Sequence, residues 1–253
     1  MNDDCDIAAL IFDFDGVIVD SEPLHCRAFQ ETLADFGLEL TAEQYFSQLI
    51  GFDDRGAMEF FLRRHGITLE TRAMKRLLSR KAAAFDALIR TGDFHALPGV
   101  GRFVRQASRR FPLGICSGAR GGEIRKMLAG VGLTEFFQVI VAAEDVSVSK
   151  PDPAGYFQAA RLLGQKTGRN FAPGNCLVIE DAPTVIHTTR AAGFHVLGVA
   201  TTYPADALTE ASHVIPSLAG ISLDDVLKNL GQRSQTKPGR RSHAKAQRRK
   251  EKK

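Results

Sequence analysis

The sequence predicts an α/β fold in which a parallel β-sheet, flanked by helices, is interrupted by one purely helical insertion. Short apolar runs alternate with helix-length segments from Leu97 onward, a pattern typical of parallel strands joined by right-handed crossovers. A further apolar run lies near the start of the chain. Between that run and Leu97 only helical periodicity is present, so this stretch is predicted to be a separate unit.

The first predicted strand is the apolar run that begins at Ile7 and ends in Asp13-Phe14-Asp15. Its continuous apolar character indicates burial on both faces of a sheet. Residues i and i+2 of an extended chain point to the same side, so both carboxylates face one spot, and Gly16 lets the backbone turn away. Such a pair needs a cation or a shared proton, and Mg²⁺ is the hard ion that oxygen ligands suit. An Asp-rich turn that caps backbone amides is the alternative.

The insertion is predicted to consist of successive helices. Apolar residues recur at spacings of three and four, and glycines fall where helices would stop, namely Gly37, Gly51, Gly66 and Gly92. We therefore predict a core domain of residues 1–19 and 97–230, a helical cap of residues 20–96, and a tail of residues 231–253.

Further apolar runs predict the remaining strands of the sheet. They lie at 111–116, 139–141, 177–179, 196–199 and 213–215. Ligands in open parallel sheets bind at the carboxyl ends of the strands. Polar residues that directly follow the strands should therefore form one site.

Polar residues do follow the second, third and fourth strands. Ser117 and Gly118 precede a helix and, with its N-terminal amides, predict a phosphate cradle. Lys150 lies in a proline-stiffened loop, and Glu180-Asp181 stand where an apolar run meets a helix. Taken singly, Ser117 could be a helix cap, Lys150 a solvated lysine, and the two acids first-turn residues favoured by the helix dipole. Their joint occurrence at successive strand ends favours a functional site.

These motifs resemble those of the haloacid dehalogenase (HAD) superfamily of phosphatases and phosphomutases, over residues 7–220. Asp-Phe-Asp-Gly-Val at 13–17 matches the first family motif, Ser117 the second, Lys150 the third and Glu180-Asp181 the fourth. The insertion resembles the small helical cap of the β-phosphoglucomutase-like, CbbY-like branch. The resemblance implies a Rossmann-like parallel-sheet core with an inserted helical-bundle cap.

The resemblance also implies roles for the acidic residues. Asp13 would be the nucleophile that forms an aspartyl-phosphate, and Asp15 the general acid and then the general base. Mg²⁺ would be held by Asp13, the backbone carbonyl of Asp15, and Asp181, with Glu180 close by. Burial and the nearby Asp13 should raise the pKa of Asp15, as a general acid requires.

Ser117 and Lys150 would hold the transferring phosphoryl oxygens, and the Gly118 amide would add a donor. Phosphoryl transfer needs this neutralisation of the equatorial oxygens. The fourth motif departs from the family pattern, because Val185 stands where the family has glycine. We expect altered helix packing there and an intact metal site.

The insertion carries two candidate substrate contacts. The resemblance places His25 where the branch keeps a histidine that contacts the general acid, and Lys81 where a cap lysine meets the substrate. The alternatives are a partly buried helix residue without a role for His25, and a solvated helix face for Arg80 and Lys81.

A mutase must bind a second phosphate, and that part of the site is predicted to be weak. Arg55 lies four residues after Gly51 instead of three, and it follows two acids. Ala119 replaces a hydroxyl residue of the mutases, although Arg120 keeps a cation nearby. We therefore expect a Mg²⁺-dependent phosphatase that hydrolyses a small phosphorylated metabolite, a sugar phosphate. A β-phosphoglucomutase-type mutase is the first alternative, and a binding protein without turnover the remoter one.

We expect a monomer, and the sequence favours a cytoplasmic location. The acidic start gives no sign of a signal peptide, and no apolar run is long enough to span a membrane. The cysteines are far apart and form no Cys-x-x-Cys pair, which fits a reducing compartment.

The formal charge of +4 is unevenly placed. From Arg233 to the end, ten Lys/Arg and one Glu give a net charge of +9, so the rest of the chain carries −5. Such basic runs can bind nucleic acid or anionic surfaces. This one is nearly without apolar residues and has no aromatic residue for base stacking, so we expect a solvated, disordered extension.

Overall fold

The structure, a computed structural model, describes residues 6–50 and 52–234, with side chains up to residue 230. Gly51 and almost all of the predicted tail lie outside the described residues. The strands, numbered in chain order, are β1 (Ala9–Phe12), β2 (Leu113–Cys116), β3 (Val139–Val141), β4 (Cys176–Glu180), β5 (His195–Val199) and β6 (His213–Ile215). They form one parallel sheet in the order β3-β2-β1-β4-β5-β6, which confirms the predicted fold class.

Strand β1 lies in the middle of this sheet. Leu10 pairs with Leu113 of β2 on one side and with Leu177 of β4 on the other. Just beyond the strand, the N–H of Asp13 donates to the carbonyl of Ile179 at 2.9 Å. Because the strands are parallel, the residues that follow β2, β1 and β4 meet at one edge of the sheet.

Helices cover both faces of the sheet. The face with α5 (Val100–Ser108), α6 (Gly121–Gly130) and α9 (Leu223–Ser234) lies opposite the face with α7 (Ala154–Thr167) and α8 (Pro183–Ala191). The side chains of β1 alternate between the two: Leu10 and Phe12 join the first apolar cluster, and Ala9 and Ile11 join the second. This two-residue period explains why a strand buried on both faces has an unbroken apolar sequence.

Two local features differ from simple expectation. Helix α9 ends at Ser234, so its last turn extends into the segment predicted as tail. Val185, the departure from the family's fourth motif, is buried in the apolar cluster between the sheet and helices α7 and α8. Its bulk is therefore accommodated in the core, away from the carboxylates that precede the helix.

The insertion between β1 and α5 contains helices and no strand among its described residues. The helices are α1 (Glu22–Ala34), α2 (Ala42–Gln48), α3 (Asp54–Arg64) and α4 (Thr71–Thr91). The Thr41 side chain accepts the N–H of Gln44 and thereby caps α2, and Asp53 accepts the N–H of Gly56 and caps α3, as polar N-cap residues commonly do. Helix α4 ends at Gly92, which has a φ of +72°.

The insertion has an apolar cluster of its own and also packs on the core domain. Phe29 of α1 and Leu77 of α4 belong to the insertion's own cluster. Ala28 of α1 and Phe85 of α4 belong instead to the cluster that covers the sheet. Helices α1 and α4 therefore connect the two apolar cores.

The two chain segments that join the insertion to the core run side by side. Val19 forms an antiparallel bridge with Ala96, and the N–H of Leu97 donates to the carbonyl of Ile18 at 2.9 Å. Among the described residues, no helix combines the length and apolar character that a membrane crossing requires.

Candidate active site

Asp13 and Asp15 follow β1 at the carboxyl edge of the sheet, as the sequence predicts. Asp13 is buried and Asp15 is partly buried. The turn that follows Asp15 depends on Gly16, which has a φ of +75°. A β-carbon there would be 2.1 Å from Oδ2 of Asp181, so only glycine fits between the first and fourth motifs.

Lys150 connects the acids that follow two different strands. Its Nζ atom lies 2.7 Å from Oδ1 of Asp13 and 2.8 Å from Oε1 of Glu180. Burial lowers the pKa of this ammonium group, but the Asp13 and Glu180 carboxylates outweigh burial and raise it well above its usual value. Lys150 therefore stays protonated. Its side chain is 17% exposed, so it is a partly buried lysine of this site and not a solvated loop residue.

Glu180 is fully buried, and both of its carboxylate oxygens accept hydrogen bonds. Oε1 accepts from Lys150 and from the hydroxyl of Tyr156 at 3.0 Å. Oε2 accepts the backbone N–H groups of Asp181 and Ala182, each at 2.7 Å. Because Glu180 ends β4 and precedes the N-cap of α8, it is not a first-turn acid of the helix. Its hydrogen bonds fix the backbone that presents Asp181.

Three carboxylates at this edge could hold a cation. One oxygen from each of Asp13, Glu180 and Asp181 lies within 4.8 Å of the others, and Lys150 is the cation that contacts two of them. Burial raises the pKa of Asp13 well above its usual value. Burial, followed by the neighbouring Glu180, raises the pKa of Asp181 to about 7. A buried, oxygen-only set with more negative than positive charge fits a hard divalent cation such as Mg²⁺.

The carboxylate of Asp15 contacts two hydroxyl groups. Ser21, at the start of α1, donates to Oδ1 of Asp15, and Ser117 lies 3.4 Å from Oδ2. Burial raises the pKa of Asp15, while the hydrogen bond from Ser21 and the charge of Lys150 oppose that rise. A raised pKa agrees with the expectation for a general acid, and burial is its largest cause.

Ser117 is not the cap of helix α6. Its Oγ atom accepts the N–H of Ala119 at 2.9 Å, and the helix begins only at Gly121, after the N-cap residue Arg120. Gly118 is exposed, and a β-carbon at this position would have no atom within 4 Å. The backbone after β2 thus borders open space beside Ser117, as a phosphate cradle requires.

The predicted insertion residues His25 and Lys81 contact each other. Lys81 Nζ lies 2.6 Å from Nδ1 of His25 and 2.6 Å from Oδ1 of Asp54. The Lys81 side chain is only 1% exposed, so the alternative prediction that this residue lies on a solvated helix face is wrong. Arg80 does lie on such a face, because its side chain is 61% exposed and forms an ion pair with Asp35.

The two predicted arginines are not drawn into the acidic cluster. Arg55 forms an ion pair with Glu59 of its own helix at 3.2 Å. Arg120 is exposed, and its backbone N–H points to Glu123 at 3.3 Å. Within the described part of the chain, neither side chain has an ion pair with Asp13, Glu180 or Asp181.

Several residues of the site were missed by the sequence analysis. Thr202 donates to Oδ2 of Asp181, and Thr201 donates to the carbonyl of Gly16. Both follow β5, so the strand-end rule could have found them had it been applied to the fifth strand. Ser21 stands at a visible helix start, whereas the buried hydroxyl of Tyr156 has no sequence signal.

Comparison with known proteins agrees with this geometry. Residues 10–199 match the haloacid dehalogenase-like hydrolase family. The chain is 30% identical over 192 residues to the fructose-1-phosphate phosphatase YqaB of Escherichia coli, and this alignment covers 76% of this chain and 96% of the relative. It is 29% identical over 195 residues to the β-phosphoglucomutase of Bacillus subtilis, which covers 76% of this chain and 82% of that relative.

A solved structure shows the same fold. The crystal structure of CbbY from Rhodobacter sphaeroides in complex with phosphate aligns with a TM-score of 0.73 at 24% identity, over 86% of this chain and 98% of that chain. The family match spans the first, second, third and fourth motifs, whose residues the fold brings to one edge of the sheet. The chain belongs to the haloacid dehalogenase-like hydrolase family.

Proposed function

We propose that this protein is a Mg²⁺-dependent phosphatase that hydrolyses a small phosphorylated metabolite, a sugar phosphate, through an aspartyl-phosphate on Asp13. The observation that carries the proposal is the position of Lys150, 2.7 Å from Asp13 and 2.8 Å from Glu180 at the carboxyl edge of the sheet. A partly buried cation therefore lies beside the candidate nucleophile. The relative named fructose-1-phosphate phosphatase supports a sugar phosphate as the substrate.

In the first half-reaction, a carboxylate oxygen of Asp13 attacks the phosphorus atom, and the bond from phosphorus to the ester oxygen breaks. Asp15 gives its proton to the departing alcohol, which its raised pKa favours. Lys150 and Ser117 stabilise the charge on the phosphoryl oxygens. The Gly118 amide borders the same open space and adds a donor.

In the second half-reaction, Asp15 accepts a proton from a water molecule as that water attacks the aspartyl-phosphate. The bond from phosphorus to Asp13 breaks, and inorganic phosphate and the Asp13 carboxylate are regenerated. A covalent intermediate of this kind divides one difficult displacement into two easier ones. Asp15 thus enters the first half-reaction protonated and the second deprotonated, and Asp13 carries the phosphoryl group between them.

The metal would be held by Asp13, the backbone carbonyl of Asp15, and Asp181. When bound, Mg²⁺ supplies positive charge that offsets the charge of the transferring phosphoryl group. Glu180 belongs to the same acidic cluster, but its oxygens already accept hydrogen bonds from Lys150, Tyr156 and two backbone amides. Its proposed role is therefore to orient Asp181 and Lys150.

The helical insertion, residues 20–96, is proposed to act as the cap that selects the substrate, with residues 1–19 and 97–230 as the catalytic core. Ser21, the N-cap residue of α1, donates to Asp15, and His25 lies in the first turn of the same helix. The paired connections at Val19 and Ala96 are the proposed hinge. Closure over the substrate would exclude water during transfer.

A phosphatase is favoured over a mutase because the two cations of the insertion that were candidates for phosphate binding are already paired. Arg55 contacts Glu59, and Lys81 contacts Asp54. The relative named β-phosphoglucomutase keeps the mutase as the second candidate. We also propose a monomer, and a cytoplasmic location because the buried cysteines Cys26, Cys116 and Cys176 are free thiols.

The test is phosphate release by the purified full chain from a panel of sugar phosphates, alongside a mutase assay with β-glucose 1-phosphate and a bisphosphate activator. We expect Mg²⁺-dependent phosphate release and phosphoryl labelling of the protein, both lost in Asp13→Asn. Labelling and turnover that survive in Asp13→Asn would overturn the nucleophile assignment. Interconversion of glucose phosphates that exceeds hydrolysis would favour the mutase.

A further inference from the structure

The proposed chemistry makes no use of an ion pair between a buried lysine and a solvent-exposed aspartate that connects two helices of the insertion. Lys81 of α4 is 1% exposed, and its Nζ atom contacts Asp54 of α3 and His25 of α1, each at 2.6 Å. The ammonium also lies 4.9 Å from the ring centre of Phe29 and 5.1 Å from that of Phe85. A carboxylate, an imidazole and two aromatic rings therefore surround this cation.

The two partners of the ion pair differ in their access to solvent. The side chain of Asp54 is 46% exposed, whereas that of Lys81 is almost completely buried. Burial lowers the pKa of Lys81, and the charge of Asp54 is the largest influence that opposes this. A ligand that approaches the pair from solvent consequently meets a carboxylate and not an ammonium group.

The pair lies close to the proposed general acid. The N–H of His25 donates to the carbonyl of Ser21 at 3.0 Å, and the hydroxyl of Ser21 donates to Asp15. The charge of Lys81 also lowers the pKa of Asp15, which lies on the core. Because Asp15 is proposed to protonate the alcohol oxygen, the alcohol part of the substrate would extend toward this side of the insertion.

Acidic groups outnumber cations around this position. Glu22 of α1 and Glu123 of α6 join Asp54 in stabilising the charge of Lys81. Arg55, the other cation of the insertion considered above, is paired with Glu59. A second phosphate group would bring two more negative charges to a place that already carries an excess, and like charges brought together disfavour binding strongly.

We infer that Asp54 is a specificity-determining residue: by occupying Lys81, it makes the insertion side of the site accept uncharged, hydroxyl-bearing groups and exclude a second phosphate. Sugar hydroxyls are suitable donors to the exposed carboxylate of Asp54. The inference rests on the proposed phosphatase function. It narrows the substrate class to monophosphates of polyols and sugars.

The test compares fructose 1-phosphate with fructose 1,6-bisphosphate, which differ only by the second phosphate. We would measure kcat/KM for both, and their binding by calorimetry, in the wild type and in Asp54→Asn, which keeps the shape and removes the charge. The matched control is Asp35→Asn, which removes a similarly exposed carboxylate from Arg80, the residue next to Lys81. Thermal melting of each variant checks folding.

The wild type should prefer the monophosphate, and Asp54→Asn should shift the preference toward the bisphosphate by roughly tenfold or more, as expected for one new charge-assisted hydrogen bond. Asp35→Asn should leave the preference unchanged. Adding Lys81→Met to Asp54→Asn should abolish the shift, because the shift requires the released ammonium group.

An unchanged preference in folded Asp54→Asn, or a shift of equal size in Asp35→Asn, would overturn the inference. Binding separates it from the proposed function. If neither ligand releases phosphate but the ratio of their dissociation constants shifts in Asp54→Asn, the phosphatase proposal fails and the role of Asp54 in selection stands. If phosphate is released and Asp54→Asn changes neither the ratio of kcat/KM values nor the ratio of dissociation constants, the phosphatase proposal stands and Asp54 has no role in selection.

Discussion

The backbone of Gly16 lies against the carboxylate of Asp181, so closely that a β-carbon on residue 16 would be 2.1 Å from Oδ2. The same oxygen accepts a hydrogen bond from Thr202. The turn after β1 and the loop after β5 thus hold Asp181 from two sides. The position of this proposed metal ligand depends on a residue that has no side chain.

Gly16→Ala should therefore weaken metal binding as well as stability. The positive φ of +75° costs a residue with a β-carbon roughly 1–2 kcal/mol, and the collision displaces Asp181. We expect the dissociation constant for Mg²⁺, measured by calorimetry, to rise roughly tenfold or more. Gly66→Ala is the matched control, since Gly66 has a φ of +72° and no atom within 4 Å of a β-carbon. Equal metal affinities in the two variants would contradict this role of Gly16.

Asp181→Asn should raise the Mg²⁺ concentration needed for half-maximal phosphate release by at least roughly tenfold. The variant loses a charged ligand from an oxygen-only site, and Mg²⁺ gives up its water reluctantly. Asp206→Asn, which neutralises an exposed acid after β5, is the control and should behave as the wild type. Full activity of the wild type in excess EDTA would show that no metal is needed.

Tyr156→Phe should destabilise the protein by about 1–3 kcal/mol, because it removes a hydrogen bond inside a buried polar network. The Tyr156 hydroxyl donates to Oε1 of Glu180 at 3.0 Å and has no solvent exposure. Glu180 still accepts hydrogen bonds from Lys150 and from the two backbone N–H groups. We therefore expect the rate of phosphate release to fall by a smaller factor than the one by which the unfolding equilibrium constant rises. Denaturant unfolding is the measurement, with Tyr203→Phe as the control. An unchanged unfolding free energy would mean that this hydrogen bond contributes nothing.

The stability of the protein should fall as the pH decreases below about 6.5, in part because of His25. Burial, followed by the charge of Lys81, lowers the pKa of His25 well below its ordinary value of 6.5. His25 stacks on Phe85 with 4.0 Å between ring centres. The acids that act on its partner Lys81 are Asp54, Glu123 and Glu22. The unfolded chain therefore binds a proton on this residue at a higher pH than the folded protein does.

In His25→Gln, the decrease in unfolding free energy with falling pH should be smaller than in the wild type, by up to about 1.4 kcal/mol per pH unit. Unfolding free energies measured between pH 7 and 5 provide the slope. His95→Gln, which removes an exposed histidine, should change it much less. A slope that is the same in His25→Gln and in the wild type would show that His25 does not remain neutral in the folded protein.

The sequence predicted the sheet and the acidic edge because both depend on short-range patterns. Strands buried on both faces are visible as unbroken apolar runs, and Asp13, Lys150 and Glu180 directly follow such runs or lie in the next loop. Parallel pairing then brings them together without further information. The same rule would have identified Thr202, which lies in the loop after β5.

The surroundings of Lys81 could not be predicted in this way. Its contact with Asp54 depends on how α3 packs against α4, and its contact with His25 depends on the position of α1. Amphipathic periodicity gives the buried face of each helix, but not which polar groups of two helices meet. A charged residue at a helix position is usually exposed, so burial of this lysine follows only from the packed structure.

The central position of β1 has a consequence for the order in which the protein forms on the ribosome. Leu10 pairs with Leu113 and with Leu177, so β1 emerges long before either of its partners. The apolar cluster of the insertion joins residues between Cys26 and Leu77. That stretch is shorter than the one that separates Leu10 from Leu113, and contacts between residues closer in sequence form faster. During synthesis, the insertion can thus become structured while Asp13 still lies on an unpaired strand. The carboxylates assemble only when Glu180 and Asp181 leave the exit tunnel, more than half the chain later.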